Sequence, residues 1–441
     1  MARGRRTVNI GWPQSSAHLV LRRPRAVRSV GNQVRELADR FVRMSSSLLA
    51  PATSNRRAGA RSRIVGLDAA TLRFVFTVAV LSRVWNALFV LYGASSVPAN
   101  SAVEGGPGVG PHWLRPYTYF DGQSYLRIAS GGYRSLTSVF YPLYPMLLRL
   151  VGRDPATEAV FGVALSSVAF VAGLLMLYKL VALDRNDAVA RATVVVIAFL
   201  PFSAIWSSIY TESVALLLVT LTWWFVRTGR WGMAVVPAAL AGATRNIGLV
   251  LGLALIAELV QQTKSVSLRG ERVRVIRRAL VCVVPIASTV AVMVWANWRF
   301  GGRGGLAAQQ LGYDRAKAWP WWAVAKDLST LTSYITLGKY FALASIVIAL
   351  ILTATQWREL RLGYHVMVWG VLAMHFVMAR QHPPYTIGAA RYLMSAFPFS
   401  VALAAGYRRI PQRWTPVLTS VLLILCAAGA YTIGAGQFEL G

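Results

Sequence analysis

The chain's strongest constraint is a stretch such as "VFGVALSSVAFVAGLLMLYKLVA" at 160–182, which carries one charge, Lys179, in 23 residues. A run of that length and polarity matches the roughly 17 to 25 residues that a helix needs to cross the hydrocarbon core of a bilayer. "PVLTSVLLILCAAGAYTIGAG" near the C-terminus is a second example. Further apolar segments recur at 71–93, 190–208, 211–227, 232–260, 279–298, 340–356, 363–379 and 391–406. Backbone polar groups in lipid must be satisfied within the segment, so repeated runs of this kind predict a polytopic helical bundle.

Composition agrees, since 56% of the residues are hydrophobic and only 14% are charged. The 441 residues therefore do not translate into a count of soluble domains. A formal charge of +30 would suit a nucleic-acid partner in a soluble protein. Here the arginines fall in the first 66 residues and in short gaps between apolar runs, where they act as topology signals. No nucleic-acid partner is expected. Residues 1–66 are Arg- and Ser-rich and read as a disordered basic cytoplasmic tail that can touch anionic headgroups. Residues 67–441 read as one transmembrane domain. Cys282 and Cys426 lie inside apolar runs and have neither disulfide nor metal-ligand spacing.

The basic gaps set the topology. With the N-terminus inside, the gaps at Arg185/Arg191 and Arg227/Arg230 fall in the cytoplasm. "KSVSLRGERVRVIRR" joins them only if 232–260 turns back on itself near "TRNIG", with Arg245 and Gly248 at the tip. The alternative is a single bent crossing. The hairpin gives about 10–11 crossings and places the segments 94–157, 299–339 and 380–390 together on the extracytoplasmic side. Asp121, Glu212 and Arg245 reach the same face, and Arg391 begins the helix that follows it.

In "PHWLRPYTYFDGQSYLRIASGGY" the carboxylate of Asp121 is surrounded by Tyr119, Phe120, Tyr125 and Tyr133, with Tyr141 shortly beyond. Aromatic faces beside a hydrogen-bond acceptor suit a carbohydrate, and a carboxylate can take the proton of an attacking hydroxyl. Asp121 also suits the start of the helix "GQSYLRIA" as an N-cap. Arg245 lies between apolar stretches where an unpaired charge is costly, so it needs an acid or an anion. Arg245, Arg391 and His382 are the candidate phosphate ligands. Glu212 is the candidate partner of Arg245 and, with the loop aromatics, a candidate ligand of the sugar or acceptor hydroxyl; it also suits a first helical turn behind Thr211. The glycines of "RFGGRGGLAAQQLG" do not form a phosphate-binding loop, because no strand precedes them and no GK[ST] follows. Trp319, Trp321 and Trp322 read as an interfacial belt.

"YFDGQSYLRIASGGY", "VFYPLYPMLLRL", "LPFSAIWSSIYTESVALLL", "GRWGMAVVPAALAGATRNIGLVL" and "ARYLMSAFPFSVALA" occur in this order. Together they resemble the PIG-V-like mannosyltransferases, a family of GT-C integral-membrane glycosyltransferases, and in particular its bacterial members. The resemblance covers about residues 70 to 410. It departs from the family at Phe120, where Trp is usual, and at "TRNIG", which lacks the usual proline. It implies transfer of a mannosyl-type sugar from a polyprenyl-phosphate donor to an acceptor hydroxyl, with inversion, on the extracytoplasmic face of the plasma membrane. Asp121 is then the general base. No cofactor is implied beyond the lipid-linked substrate, and a divalent metal is left open. The acceptor, whether glycolipid, glycan or protein, is not identified. A transporter or flippase of lipid-linked saccharides and a noncatalytic partner of another glycosyltransferase are the alternative readings.

Overall fold

The computed structural model describes residues 68–96, 108–263, 272–319, 321–333 and 336–437. The expected tail at 1–66 lies outside them, as does most of the basic loop before residue 272. The described residues form the expected all-α polytopic bundle, with one two-stranded ladder.

The helices are α1 (Ala69–Ser96), α2 (Asp121–Gly131), α3 (Leu143–Leu148), α4 (Pro155–Asp184), α5 (Asp187–Ala198) and α6 (Glu212–Arg227). They continue as α7 (Trp231–Thr244), α8 (Ile247–Thr263), α9 (Arg272–Arg299), α10 (Leu306–Gly312) and α11 (Trp322–Ser329). The last are α12 (Leu337–Thr355), α13 (Leu362–Val377), α14 (Ala389–Ser395), α15 (Phe397–Tyr407) and α16 (Thr415–Gly434). Strands β1 (Arg315–Lys317) and β2 (Met378–Arg380) pair antiparallel, Arg315 opposite Arg380.

Every apolar run coincides with a helix, but the helices differ in length. Five are long and apolar enough to cross a membrane, namely α1, α4, α9, most of α12 and α16. The others are shorter than their apolar runs, for local reasons. Pro201 follows α5, and the run at 391–406 breaks into α14 and α15 at Ala396, two residues before Pro398. Proline has no N–H to donate, and its ring clashes with the carbonyl four residues back, so a helix tends to stop ahead of it. Residues 199–211 are consequently irregular yet almost wholly buried. Arg83 of α1 satisfies part of that backbone, donating from Nη1 to the carbonyl of Ser203 at 2.7 Å and from Nη2 to that of Ala198 at 3.3 Å. Its guanidinium also lies 4.6 Å from the Phe170 ring. A buried carbonyl without a donor is costly, so this arginine holds the broken segment in place.

The segment 232–260 is a hairpin. Arg278 lies over Trp231 at the start of α7, while Ser288, further along α9, donates to the carbonyl of Ala239 at 2.7 Å. On α8 the order along α9 is reversed: Gly248 abuts Thr289, and Gly252 abuts Cys282 and Ile286. The three helices can pack this closely only over glycine. A Cβ at Gly248 would lie 2.2 Å from Thr289 Oγ1 and 2.6 Å from the Cα of Gly242.

The Arg-bearing gaps gather at one end of the bundle. There Arg227 contacts Asp184 at 2.7 Å and Glu258 at 3.4 Å, and Arg361 contacts Glu258 at 2.7 Å. Tyr364 donates to Asp184 at 2.6 Å, and Glu359 pairs with both Arg185 and Arg409. At the other end the three long connecting segments interlock. Ser135 donates to the carbonyl of Arg303, Ser138 accepts from the amide of Gly305, and the β1–β2 ladder ties the second segment to the third. Buried Asp327 of α11 fastens that third segment, accepting from the Thr386 amide at 2.8 Å and its hydroxyl at 2.6 Å.

Gly248→Ala should lower the thermal midpoint of detergent-purified protein, with a loss of about 1–3 kcal/mol from overpacking. Gly232→Ala, in the same hairpin but with nothing within 4 Å, should not. Equal midpoints for the two variants would contradict the close contact of α7, α8 and α9.

Candidate functional site

Four side chains from four separate elements meet where the interlocked segments cover the bundle. Asp121 is the first residue of α2. The flanking Phe120 has φ 54 and ψ −119 and makes no side-chain cap bond. That backbone region ordinarily suits glycine, so the turn into α2 holds an aromatic residue under strain beside the acid. The Asp121 carboxylate points instead at Arg391 of α14, whose Nη2 donates to it at 3.3 Å. Glu212 opens α6, and Arg245 occupies the extended break between α7 and α8. Thr211 holds the expected cap position before α6, but its side chain makes no cap bond.

Glu212 lies between the two arginines, 2.5 Å from Nη1 of Arg245 and 3.7 Å from Nε of Arg391. Its side chain is only 1% exposed, and among the described residues neither carboxylate oxygen has an aligned donor. Charge therefore holds this cluster more than hydrogen-bond geometry does. Both guanidiniums also lie against the Tyr392 ring, Arg245 at 5.1 Å and Arg391 at 5.3 Å from its centroid, and Arg391 lies 5.6 Å from that of Tyr210. The Asp121 side chain is 35% exposed, the most accessible of the four. One buried acid and two buried bases hold one another, and the second acid reaches outward.

That acid faces a cavity of about 640 Å³. Its charged floor is Asp121, Glu212, Arg245 and Arg391, and its flank is apolar, with Leu249, Leu253 and Val292. Tyr125 and Tyr141 line it as the sequence suggests. Tyr133 does not. Its ring packs on Trp295 and lines a separate, mainly apolar cavity of about 550 Å³. Tyr119 and Phe120 pack on each other and lie outside the lining of the first cavity.

His382 is also placed elsewhere. Its side chain is 77% exposed, and its Nδ1 donates to Asp314 at 2.9 Å. That hydrogen bond, with the added charges of His382 and Arg380, holds the Asp314 carboxyl below its usual range. Sequence reasoning missed Arg315, His375 and Tyr392, which do line the cavity. Tyr392 follows Arg391 directly and could have been found beside it. Arg315 follows Asp314 in "YDRAK", which reads as a solvated charge pair. His375 lies within an apolar run, where a satisfied core histidine is the ordinary reading, and its Nε2 does lie 3.0 Å from the carbonyl of Ile387. Among the described residues no group of three His, Cys, Asp or Glu side chains could hold a metal ion.

No family model and no curated protein matches the chain. Among solved structures, ArnT from Cupriavidus metallidurans bound to undecaprenyl phosphate is similar over 82% of this chain and 76% of its own, with a TM-score of 0.46 and 11% identity. Its apo state gives 84%, 77%, 0.45 and 12%. The apo oligosaccharyltransferase of Archaeoglobus fulgidus is similar over 83% of this chain, with a TM-score of 0.42 and 12% identity. The chain spans only 56% of that archaeal protein.

Removing Glu212 would leave Arg245 buried without its nearest counter-charge. Glu212→Ala should therefore destabilise the protein by about 3–5 kcal/mol. Glu212→Leu combined with Arg245→Met should cost well under the sum of the two single changes. Additive losses in a double-mutant thermal cycle would show that the two charges do not depend on each other.

Proposed function

We propose that this chain is a GT-C-type glycosyltransferase that moves a mannosyl-type sugar from a polyprenyl-phosphate donor to an acceptor hydroxyl. The observation that carries the reading is the placement of one part-exposed carboxylate, Asp121, 3.3 Å from a buried arginine at a half-apolar cavity. Sugar transfer from a lipid phosphate needs a base for the acceptor, a cation for the leaving phosphate and an apolar approach for the lipid. Asp121, the Arg391/Arg245 pair and the Leu249–Leu253–Val292 flank are suited to these roles in turn.

In the proposed reaction the donor phosphate approaches Arg391 and competes with Asp121 for it. Guanidinium groups bind phosphate in a fork and stabilise the charge that develops as the bond to the anomeric carbon breaks. Asp121, released from Arg391, accepts the hydrogen bond of the acceptor hydroxyl. It takes that proton as the hydroxyl oxygen attacks the anomeric carbon from the side opposite the leaving phosphate, so the configuration inverts. Tyr125 and Tyr141 offer ring faces to the sugar. Glu212 keeps both guanidiniums in place, and no resident metal or cofactor is required by this scheme. The covered end of the bundle would face away from the cytoplasm, because the Arg-rich gaps collect at the opposite end. A plasma-membrane location is what the resemblance to bacterial PIG-V-like proteins implies.

A transporter would need polar groups along a route through both ends of the bundle. The second charged layer, at Asp184, Arg227, Glu258 and Arg361, is paired within itself and lines neither of the two large cavities. That arrangement favours an enzyme.

The reading is tested by sugar transfer from labelled polyprenyl-phosphate mannose in membranes holding wild type or Asp121→Asn at equal abundance. Loss of a general base should reduce transfer roughly 10²- to 10⁴-fold. Transfer by the variant at the wild-type rate would remove Asp121 from the chemistry. Absence of transfer by the wild type from mannosyl and other polyprenyl-linked donors would favour a noncatalytic or transport role.

A further inference from the structure

The cavity is lined by three guanidiniums, Arg245, Arg315 and Arg391, but by only two carboxylates, Asp121 and Glu212. Arg245 is paired with Glu212, and Arg391 with both acids. Arg315 has no ion pair among the described residues. Its Nη1 donates to the carbonyl of Met378 at 2.9 Å, which fixes the side chain across the β1–β2 ladder without neutralising it.

The acid next to it in sequence does not compensate it. Asp314 has φ 49, a left-handed backbone that turns the chain just before β1. Its carboxylate is 40% exposed and is taken by His382 at 2.9 Å and Arg380 at 3.7 Å. Arg315 is half-buried and lines the cavity together with His375 and Tyr392. Tyr392, on whose ring Arg245 and Arg391 rest, lines the same cavity as Arg315.

We propose that Arg315 is a third ligand of a lipid-borne phosphate, supplying the surplus positive charge that draws this anion into the cavity. Three cations against two anions leave one positive charge, a surplus that attracts a phosphate anion. Arg245 and Arg391 can reach a phosphate only in competition with the acids they already hold. Arg315 has no such competitor, so it makes the first strong contact and keeps the phosphate as Asp121 leaves Arg391. Because Arg315 belongs to the ladder, phosphate binding also engages the extended segment between α10 and α11. This inference rests on the function proposed above for the same cavity.

The test is direct binding of undecaprenyl phosphate to the full chain in nanodiscs, with inorganic phosphate as a second ligand. Arg315→Gln should weaken undecaprenyl-phosphate binding roughly ten- to hundredfold, the worth of one charge-assisted hydrogen bond. Arg315→Lys should recover part of the loss, since it restores the charge without the fork. Arg380→Gln, opposite on the ladder but outside the cavity lining, serves as the control and should bind as wild type does. Equal weakening by Arg315→Gln and Arg380→Gln, or none by either, would overturn the proposal. Inorganic phosphate binding as tightly as the lipid would overturn the lipid-borne assignment. A wild type that binds the lipid through Arg315 but transfers no sugar would keep this inference and remove the catalytic reading. Transfer that is indifferent to Arg315, with unchanged lipid binding, would do the reverse.

Discussion

A carboxylate removed from water inside a helical bundle is tolerated only with cations against it, and Glu212 is such a group. It lies at the start of α6, between an arginine from the α7–α8 break and one from α14. Those attractions join three parts of the chain that are far apart in sequence, at a point where no regular helix contact could do so. The hairpin tip, the strained entry to α2 and the start of α14 all take their positions around it. The exposed acid, Asp121, is held by the same cluster through Arg391.

Charge in this protein is concentrated at the two ends of the helices, and the two layers differ in kind. The layer at Asp184, Arg227, Glu258 and Arg361 consists of two acids and two bases that pair with one another. The layer at Asp121, Glu212, Arg245 and Arg391 is likewise even in charge, but it borders a cavity to which Arg315 adds one more cation. One layer ties α4, α6, α8 and α13 together, whereas the other is both a tie and a surface for chemistry. Low dielectric strengthens each contact and makes each imbalance matter, so a single unpaired arginine becomes a feature of the site.

Much of this was legible from residues taken in order. The apolar runs and the basic gaps require helices joined at one Arg-rich end, and they imply the hairpin at "TRNIG", which α7 and α8 form. Asp121, Glu212, Arg245 and Arg391 stand out because a charge among apolar neighbours needs a partner, and they are partners. The placements of His382 and Arg315 were not legible. His382 lies in a loop beyond β2 and Arg315 opens the three-residue strand β1, and so short a strand has no periodic signature. The left-handed turn at Asp314 comes just before β1, and its carboxylate is taken by His382 and Arg380 while Arg315 lines the cavity. Tyr133 is near Asp121 in sequence yet lines the other cavity, because the residues after α2 turn it onto Trp295.

The sequence by itself determined the solvent of this protein, the helical class, the end of the bundle at which each gap lies and the acids and bases that had to find partners. These follow from local quantities, the transfer energy of a run and the cost of an isolated charge, which are sums over neighbours in the chain. Only the tertiary structure decided which arginine meets which acid, that Arg315 is left over, and that Asp121 stays open to the cavity. Those outcomes depend on distances of a few ångströms between residues up to 270 positions apart. Such distances are set by glycine contacts, helix breaks and strand pairing acting together, and no single segment contains them.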